Sequence, residues 1–161
     1  MDEPIVQQLL DRAEIADVVT RVATCADARD WAGVRACFTD ELDLDYTSLS
    51  GGTSVRLRAD DLVAQWQQTL SGFEATHHLL ANQLITVNGD EATCFAYVQA
   101  THLLPTSTGE STWTLGGTYS YLLSRTQQGW KIRSSTFIVK WAKGNQQLVT
   151  LAQARVQQTS K

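Results

Sequence analysis

The stretch HHLLANQLITVNGDEATCFAYVQATHLL, residues 77–104, decides the fold. Residues 77–87 and 92–104 each have the pattern of a β-strand. Between them, Asn88-Gly89-Asp90 predicts a hairpin turn, because asparagine and glycine tolerate the positive φ that such a turn requires. We therefore expect two long antiparallel strands that pair through this turn.

Two further strands are predicted on the C-terminal side of this hairpin. Residues 105–111 form a loop, and residues 113–125 and 130–141 have strand patterns separated by the turn Gln127-Gln128-Gly129. Residues 146–158 are compatible with a terminal helix. The second half of the chain is thus a meander of long antiparallel strands.

The N-terminal half is predicted to be mainly helical. Apolar residues recur at helical spacing over residues 5–27, and Asp30 stands where the N-cap of a second helix, residues 31–38, is expected. Residues 42–46 alternate as in a half-buried strand. A third helix, opening at residue 60 or 61, runs to Leu70. Helices followed by an antiparallel meander indicate an α+β fold, and residues 1–161 are expected to form one domain around a pocket between sheet and helices.

Composition excludes several classes of function. The net charge is −4, and no segment is strongly basic, so a nucleic-acid partner is not expected. The N-terminus lacks the features of a signal peptide, and no apolar run approaches the ~20 residues of a membrane helix. The cysteines number three and form no Cys-x-x-Cys pair, which is typical of reduced thiols in a cytoplasmic protein.

The histidines are candidate functional residues because all three fall at one end of the predicted hairpin. His77 and His78 point to opposite faces of their strand, so only one of them can enter a pocket. His102 shares its face with small apolar residues, namely Ala92, Cys94, Ala96, Val98 and Ala100. Such a face suits either a ligand-binding surface or a packed core.

Asp27 is a candidate partner for a histidine. It lies at the edge of the apolar face of the first helix and near its C-terminus, where the helix dipole disfavours negative charge. A carboxylate there requires a cationic or hydrogen-bonding partner, unless it is solvated at the helix end. Tyr46 is expected to point inward with Leu42 and Leu44. Trp66, Trp113 and Tyr119 are candidate pocket walls or core residues.

No cofactor or metal is expected. Two histidines and one carboxylate can bind iron or zinc, but here they come from distant segments without the spacing of a known metal motif. The sequence also has no phosphate-binding glycine loop, no dinucleotide fingerprint and no serine nucleophile elbow.

Several motifs together resemble the SnoaL-like branch of the nuclear transport factor 2-like superfamily, and within it scytalone dehydratase. The resemblance extends over nearly the whole chain and implies a cone-shaped fold, with a curved antiparallel sheet wrapped by helices around a central pocket. The segments that carry it are Ala26-Asp27-Ala28-Arg29-Asp30-Trp31, Phe38-Thr39-Asp40, Leu44-Asp45-Tyr46, Thr76-His77-His78-Leu79-Leu80-Ala81-Asn82, Asn88-Gly89-Asp90, and Gly129-Trp130-Lys131-Ile132.

The resemblance implies an Asp27–His102 catalytic dyad, with His78 and Tyr46 as further catalytic residues. It implies that His77 points outward, and we expect Tyr119, Trp66, Trp113 and Asn82 to bind substrate. Ala26 and Tyr119 depart from the scytalone dehydratase pattern, where a tyrosine and a substrate-binding asparagine stand, so scytalone itself is not the expected substrate.

The expected activity is a dehydratase, lyase or isomerase reaction on a small cyclic oxygenated molecule. A non-catalytic binding protein, and a polyketide cyclase or epoxide hydrolase on the same fold, remain alternatives. The resemblance also implies a homo-oligomer, either a trimer or a dimer.

Overall fold

The computed structural model describes residues 3–159, which form six strands and five helices. Long helix α1 is followed by short elements, then by four long strands and a final helix. The elements are α1 (Glu3–Ala28), α2 (Trp31–Ala36), β1 (Phe38–Asp45), α3 (Thr47–Ser50), β2 (Val55–Arg58), α4 (Ala59–Leu70), β3 (Ala75–Asn88), β4 (Glu91–Leu103), β5 (Thr112–Thr126), β6 (Gly129–Gly144) and α5 (Leu148–Thr159).

All six strands belong to one curved sheet in the order β2-β1-β6-β5-β4-β3. Strands β3 to β6 form an antiparallel meander, and β1 joins β6 in parallel. The predicted hairpin is confirmed, with Asn88 opposite Glu91 at the turn and His78 opposite Ala100 further along. The α+β class predicted from the sequence is therefore observed.

The core lies between the inner face of the sheet and the helices. The apolar stripe of α1, including Ile15, Val19 and Val22, packs against β3 and β6. Three residues of the central strands, Leu123, Trp130 and Ile132, are almost fully buried beneath it. Cys37 and Cys94 are buried free thiols and Cys25 is partly buried, as predicted.

A buried ion pair joins α1 to the far end of the sheet. Asp11 is only 4% exposed, and its two oxygens accept hydrogen bonds from Nη1 and Nη2 of Arg125 at 2.7 and 2.8 Å. The indole N–H of Trp130 donates to the same carboxylate, and the guanidinium lies 4.6 Å from the Trp130 ring centroid. The hydrogen bonds from Arg125 lower the pKa of Asp11, although burial acts in the opposite direction.

The element boundaries differ from the predictions in the first half of the chain. Asp30 caps α2 as predicted, accepting a hydrogen bond from the Gly33 amide, but Phe38 already belongs to β1. The one-turn helix α3 and the edge strand β2 were not predicted. Both are too short for a periodic pattern, and β2 is mostly exposed because it lies at the edge of the sheet.

The predicted terminal helix is present as α5 and packs against α4. Leu148 and Ala152 of α5 are fully buried. At the end of α4, Gly72 lies so close that a Cβ there would come within 1.9 Å of the Ala152 carbonyl oxygen. Helix α5 is therefore docked onto α4 through a contact that only glycine permits.

The outer face of the sheet carries exposed apolar side chains. Leu79, Tyr97 and Trp141 are each about half exposed, at 55, 51 and 47%. An apolar patch of this kind is compatible with the predicted homo-oligomer, which stays a prediction. Within residues 3–159, no helix is long and apolar enough to span a membrane.

Candidate functional site

A cavity of about 790 Å³ lies between the inner face of the sheet and helices α1, α4 and α5. Its wall is largely apolar, with a few polar groups, which is typical of small-molecule sites. Six of the eight residues predicted from the sequence line it: Tyr46, Trp66, His78, His102, Trp113 and Tyr119.

The C-terminal end of α1 meets β3 at an Asp–His pair beside this cavity. Oδ1 of Asp27 lies 2.7 Å from Nδ1 of His78. Oδ2 of Asp27 accepts a hydrogen bond from the backbone amide of His78 at 2.8 Å. Both side chains are mostly buried, with exposed fractions of 20% for Asp27 and 17% for His78. The carboxylate thus fixes both the backbone and the ring of one histidine.

The charge state of Asp27 sets the tautomer of His78. Burial raises the pKa of Asp27, but the hydrogen bonds from the His78 ring and backbone outweigh it, and the pKa is lowered overall. Asp27 is therefore an acceptor at neutral pH, and the proton of a neutral His78 ring stands on Nδ1. The Nε2 lone pair remains available, because no other described residue bonds it and His78 lines the cavity.

Two residues behind the pair hold the carboxylate in place. Thr76 donates from Oγ1 to Oδ1 of Asp27 at 2.8 Å, and Nη1 of Arg29 donates to the same Oγ1 at 2.7 Å. Arg29 also bonds the Ala26 carbonyl, and it adopts a left-handed conformation with φ 62° just after α1. Neither role was predicted from the sequence. The signal was present, since Thr76 lies two residues from His78 and so on the same strand face.

His102 is not the partner of Asp27, and the predicted Asp27–His102 dyad is wrong in this respect. Its Nδ1 lies 3.2 Å from the carbonyl oxygen of Trp113, and the residue is 5% exposed. The carbonyl can only accept, so Nδ1 carries the proton and Nε2 is an acceptor. Burial, together with the charge of nearby His78, lowers the pKa of His102 to about 4. His102 is therefore neutral near pH 7.

The register of the hairpin helps to explain why Asp27 pairs with His78 and not with His102. His102 stands opposite Thr76, and His78 stands opposite Ala100, so the two histidines are neighbours on the inner face. Their ring centroids are 5.6 Å apart, with the planes nearly perpendicular. Helix α1 crosses β3 rather than β4, and its carboxylate consequently reaches the β3 histidine. His77 is exposed, as the resemblance implied.

Two tyrosines form a second polar group in the cavity wall. The hydroxyl of Tyr46 donates to that of Tyr119 at 3.3 Å. Tyr46 also stacks against Trp66, with ring centroids 6.5 Å apart. Burial raises the pKa of both tyrosines. Both hydroxyls thus stay protonated, and because Tyr46 donates its proton to Tyr119, the Tyr119 hydroxyl is the one that can donate to an oxygen of a bound molecule.

Two predicted substrate contacts need correction or refinement. Asn82 is exposed and lies outside the cavity, because a bulge between Ala81 and Leu84 gives it a φ of 54° and breaks the strand alternation. Trp113 lines the cavity with its ring, 5.0 Å from that of His102. Its indole N–H is sealed from solvent and has no partner among the described residues.

A catalytic base can be assembled from this arrangement without a metal. Among the side chains that the structure describes, residues 4–159, no three His, Cys, Asp or Glu are grouped to hold a metal ion. The absence of a cofactor stays a prediction. The site combines one carboxylate-supported imidazole, one neutral buried imidazole and a hydrogen-bonded pair of tyrosine hydroxyls around an apolar space.

The chain belongs to the family of SnoaL-like domains, whose pattern matches residues 7–136. This result confirms the resemblance and the nuclear transport factor 2-like fold expected from the sequence. No curated protein is similar enough to the chain to match it.

Solved structures support the same fold. The Kfla4162 protein from Kribbella flavida is 30% identical, with a TM-score of 0.82 over 90% of this chain and 98% of its own. A candidate scytalone dehydratase from Novosphingobium aromaticivorans is 16% identical, with a TM-score of 0.73 over 86% of this chain and 89% of its own. The hexachlorocyclohexane dehydrochlorinase LinA-type3 from Novosphingobium barchaimii LL02 is also 16% identical, with a TM-score of 0.69 over 88% of this chain and 94% of its own. At 16% identity, the last two are evidence for the fold alone.

Proposed function

We propose that this protein is a cofactor-independent acid–base enzyme, a dehydratase or other lyase, or an isomerase, acting on a small cyclic oxygenated substrate. The observation that carries the proposal is the hydrogen-bonded Asp27–His78 pair in the wall of an apolar cavity. An imidazole held in one tautomer by a carboxylate is suited to proton transfer near neutral pH. Two solved structures of this fold are named as a candidate dehydratase and a dehydrochlorinase, which makes elimination the first class of reaction to test on it.

The first step is removal of a proton from the carbon next to a carbonyl. Nε2 of His78 accepts the proton, the C–H electrons form an enolate, and Asp27 stabilises the imidazolium that results. The Tyr119 hydroxyl, which accepts a hydrogen bond from Tyr46, donates to the enolate oxygen. A carboxylate-supported base of this kind contributes typically ~10²–10⁴-fold to the rate.

The second step determines the outcome. In a dehydratase, the enolate re-forms the carbonyl, a carbon–carbon double bond forms, and the β-hydroxyl leaves as water with the proton from His78. In an isomerase, the same proton returns to a different carbon. His102 has its Nδ1 proton on the Trp113 carbonyl, so its Nε2 can accept a hydrogen bond from the substrate hydroxyl.

Proton exchange on a model ketone tests the proposal without knowledge of the natural substrate. We expect the protein to accelerate deuterium incorporation at the α-carbons of 2-tetralone in D₂O, followed by NMR. Replacing His78 by Gln should abolish the acceleration, whereas Asp43→Asn, at an exposed position on β1, should not. No acceleration by the wild-type protein on any cyclic ketone tested would contradict an enolising enzyme.

A non-catalytic binding protein is the second candidate, and the largely apolar lining of the cavity favours it. Binding requires the cavity but not the Asp27–His78 pair. Ligand binding that is unchanged in His78→Gln, without proton exchange in the wild-type protein, would support this alternative.

A further inference from the structure

The lining of the cavity carries no permanent charge. Within the part of the chain that the structure describes, it contains no Asp, Glu, Lys or Arg side chain. Its ionisable residues are two histidines and three tyrosines, and the Asp27 carboxylate lies behind His78. A charged ligand group would therefore be desolvated without a compensating partner, which is costly.

The polar groups of the cavity wall fall into two sets. The buried or partly buried set includes His78, His102, Tyr46 and Tyr119. The second set consists of neutral amide and hydroxyl side chains that are mostly exposed, and it forms the exposed wall of the cavity. The residues of the exposed wall are Ser50, Gln65, Thr69, Gln146, Gln147, Thr150 and Gln153.

The exposed wall offers unused hydrogen-bonding groups. Gln65 is exposed, and its amide bonds no residue in the described part of the chain. Gln153 donates from Nε2 to Oγ1 of Thr69 at 3.1 Å, which leaves its carbonyl oxygen free. A glutamine amide both donates and accepts, so this pair can bind a hydroxyl or a carbonyl without charge.

We infer that the ligand is an uncharged, multi-ring molecule with oxygen functions at both ends. Its reactive carbonyl faces the histidines, and a distal hydroxyl or carbonyl is bound by Gln65 and Gln153. The volume agrees with this size, since a cavity of ~150 Å³ holds one benzene ring and this cavity has about 790 Å³. The inference rests on the proposed function, because that function decides which end of the ligand faces the histidines. It adds to that function the residues that select the ligand at its other end.

Calorimetric titration at pH 7 with three matched probes tests the inference. The probes are 2-tetralone, 6-hydroxy-2-tetralone and the carboxylate of tetralin-2-carboxylic acid. We expect the hydroxylated ketone to bind about three- to tenfold more tightly than 2-tetralone, as one additional neutral hydrogen bond provides. The carboxylate should bind at least about tenfold more weakly than 2-tetralone, because its charge is left unpaired.

Two glutamine replacements locate the distal contact. In the Gln65→Leu/Gln153→Leu double variant, the preference for the hydroxylated ketone should fall to less than about twofold. Gln68→Leu on α4 and Gln157→Leu on α5 are matched controls at exposed positions outside the cavity wall, and they should keep the preference.

Three outcomes would overturn the inference: binding of the carboxylate as tight as that of 2-tetralone, a hydroxyl preference unchanged in the double variant, or no binding of either ketone. The titration reports binding alone. Selective binding without α-proton exchange would contradict the proposed enzyme while supporting the assignment of an uncharged ligand.

Discussion

The Asp27 carboxylate accepts hydrogen bonds from both the ring and the backbone amide of His78, at 2.7 and 2.8 Å. One carboxylate therefore joins the end of α1 to β3 and also fixes the orientation of an imidazole in the cavity wall. This double contact makes the pair a structural junction as well as a candidate catalytic group. The two roles can be separated by substitution.

Asp27→Asn should remove most of the activity while leaving the fold intact. The asparagine oxygen can still accept from His78, but it has no charge to stabilise an imidazolium, so α-proton exchange should fall by ~10²–10⁴-fold. Circular dichroism and a thermal melt check folding, with Asp43→Asn as the exposed control. Exchange by Asp27→Asn at the wild-type rate would exclude Asp27 from catalysis.

Thr76 should act as a positioning residue through its hydroxyl. Thr76→Val removes the hydrogen bond to Asp27 and leaves Arg29 with the Ala26 carbonyl as its acceptor, so exchange should fall about tenfold, as for one hydrogen bond to a charged group. Because this bond lowers the pKa of Asp27, its loss should move the acidic limb of the pH–rate profile to higher pH.

The conservative variant Thr76→Ser distinguishes the hydroxyl from the shape of the side chain. It retains Oγ and should recover exchange to within about twofold of the wild type. Equal losses in Thr76→Ser and Thr76→Val, with an unshifted pH profile, would show that Thr76 matters only for packing.

His102 should make the protein less stable as the pH falls. Its pKa is about 4 when folded, below the unfolded value of ~6.5, so the unfolded state binds the proton first. Stability should decline from about pH 6.5 to about pH 4, by at most about 3 kcal/mol at ~1.36 kcal/mol per pKa unit.

Urea unfolding at several pH values measures this decline. The slope between about pH 4 and 6.5 should be smaller in His102→Gln than in the wild type. The His102 ring should also show no NMR titration from about pH 5.5 to 8 in the folded protein. A folded-state titration near pH 6.5 would contradict a buried, neutral ring.

The Asp11–Arg125 pair should contribute stability through the charged form of Asp11, whereas His102 contributes through its neutral form. Asp11 has a lowered pKa, so its contribution is present above the unfolded pKa of ~3.9 and is lost as the pH falls below it. Asp11→Asn should cost about 2 kcal/mol at neutral pH. The difference from the wild type should shrink below about pH 4, and a constant difference would argue against an ionic contribution.

Much of the fold could be predicted because its signals are local. The turn at Asn88-Gly89 sets the register of β3 and β4, which brings His78 and His102 to the same end of the hairpin. Strand alternation then separates inward His78 from exposed His77. These results depend only on turn chemistry and on the two-residue period of a strand.

The partner of Asp27 could not be derived in this way. It depends on where α1 crosses the sheet, which is decided by the packing of α1 against β3 and β6 rather than by any local pattern. The prediction that Asn82 faces the cavity is wrong because a bulge interrupts the alternation of side chains along β3. No residue type in this segment predicts that bulge. The role of Arg29 likewise requires a left-handed backbone conformation that the sequence does not indicate.

The contact between Gly72 and Ala152 also has a consequence for the wall of the cavity. No side chain fits between the end of α4 and α5, so any larger residue at position 72 would displace α5. Helix α5 contributes Val149, Thr150 and Gln153 to the cavity lining, and these side chains would move with it. A single missing β-carbon therefore keeps one wall of the cavity in place.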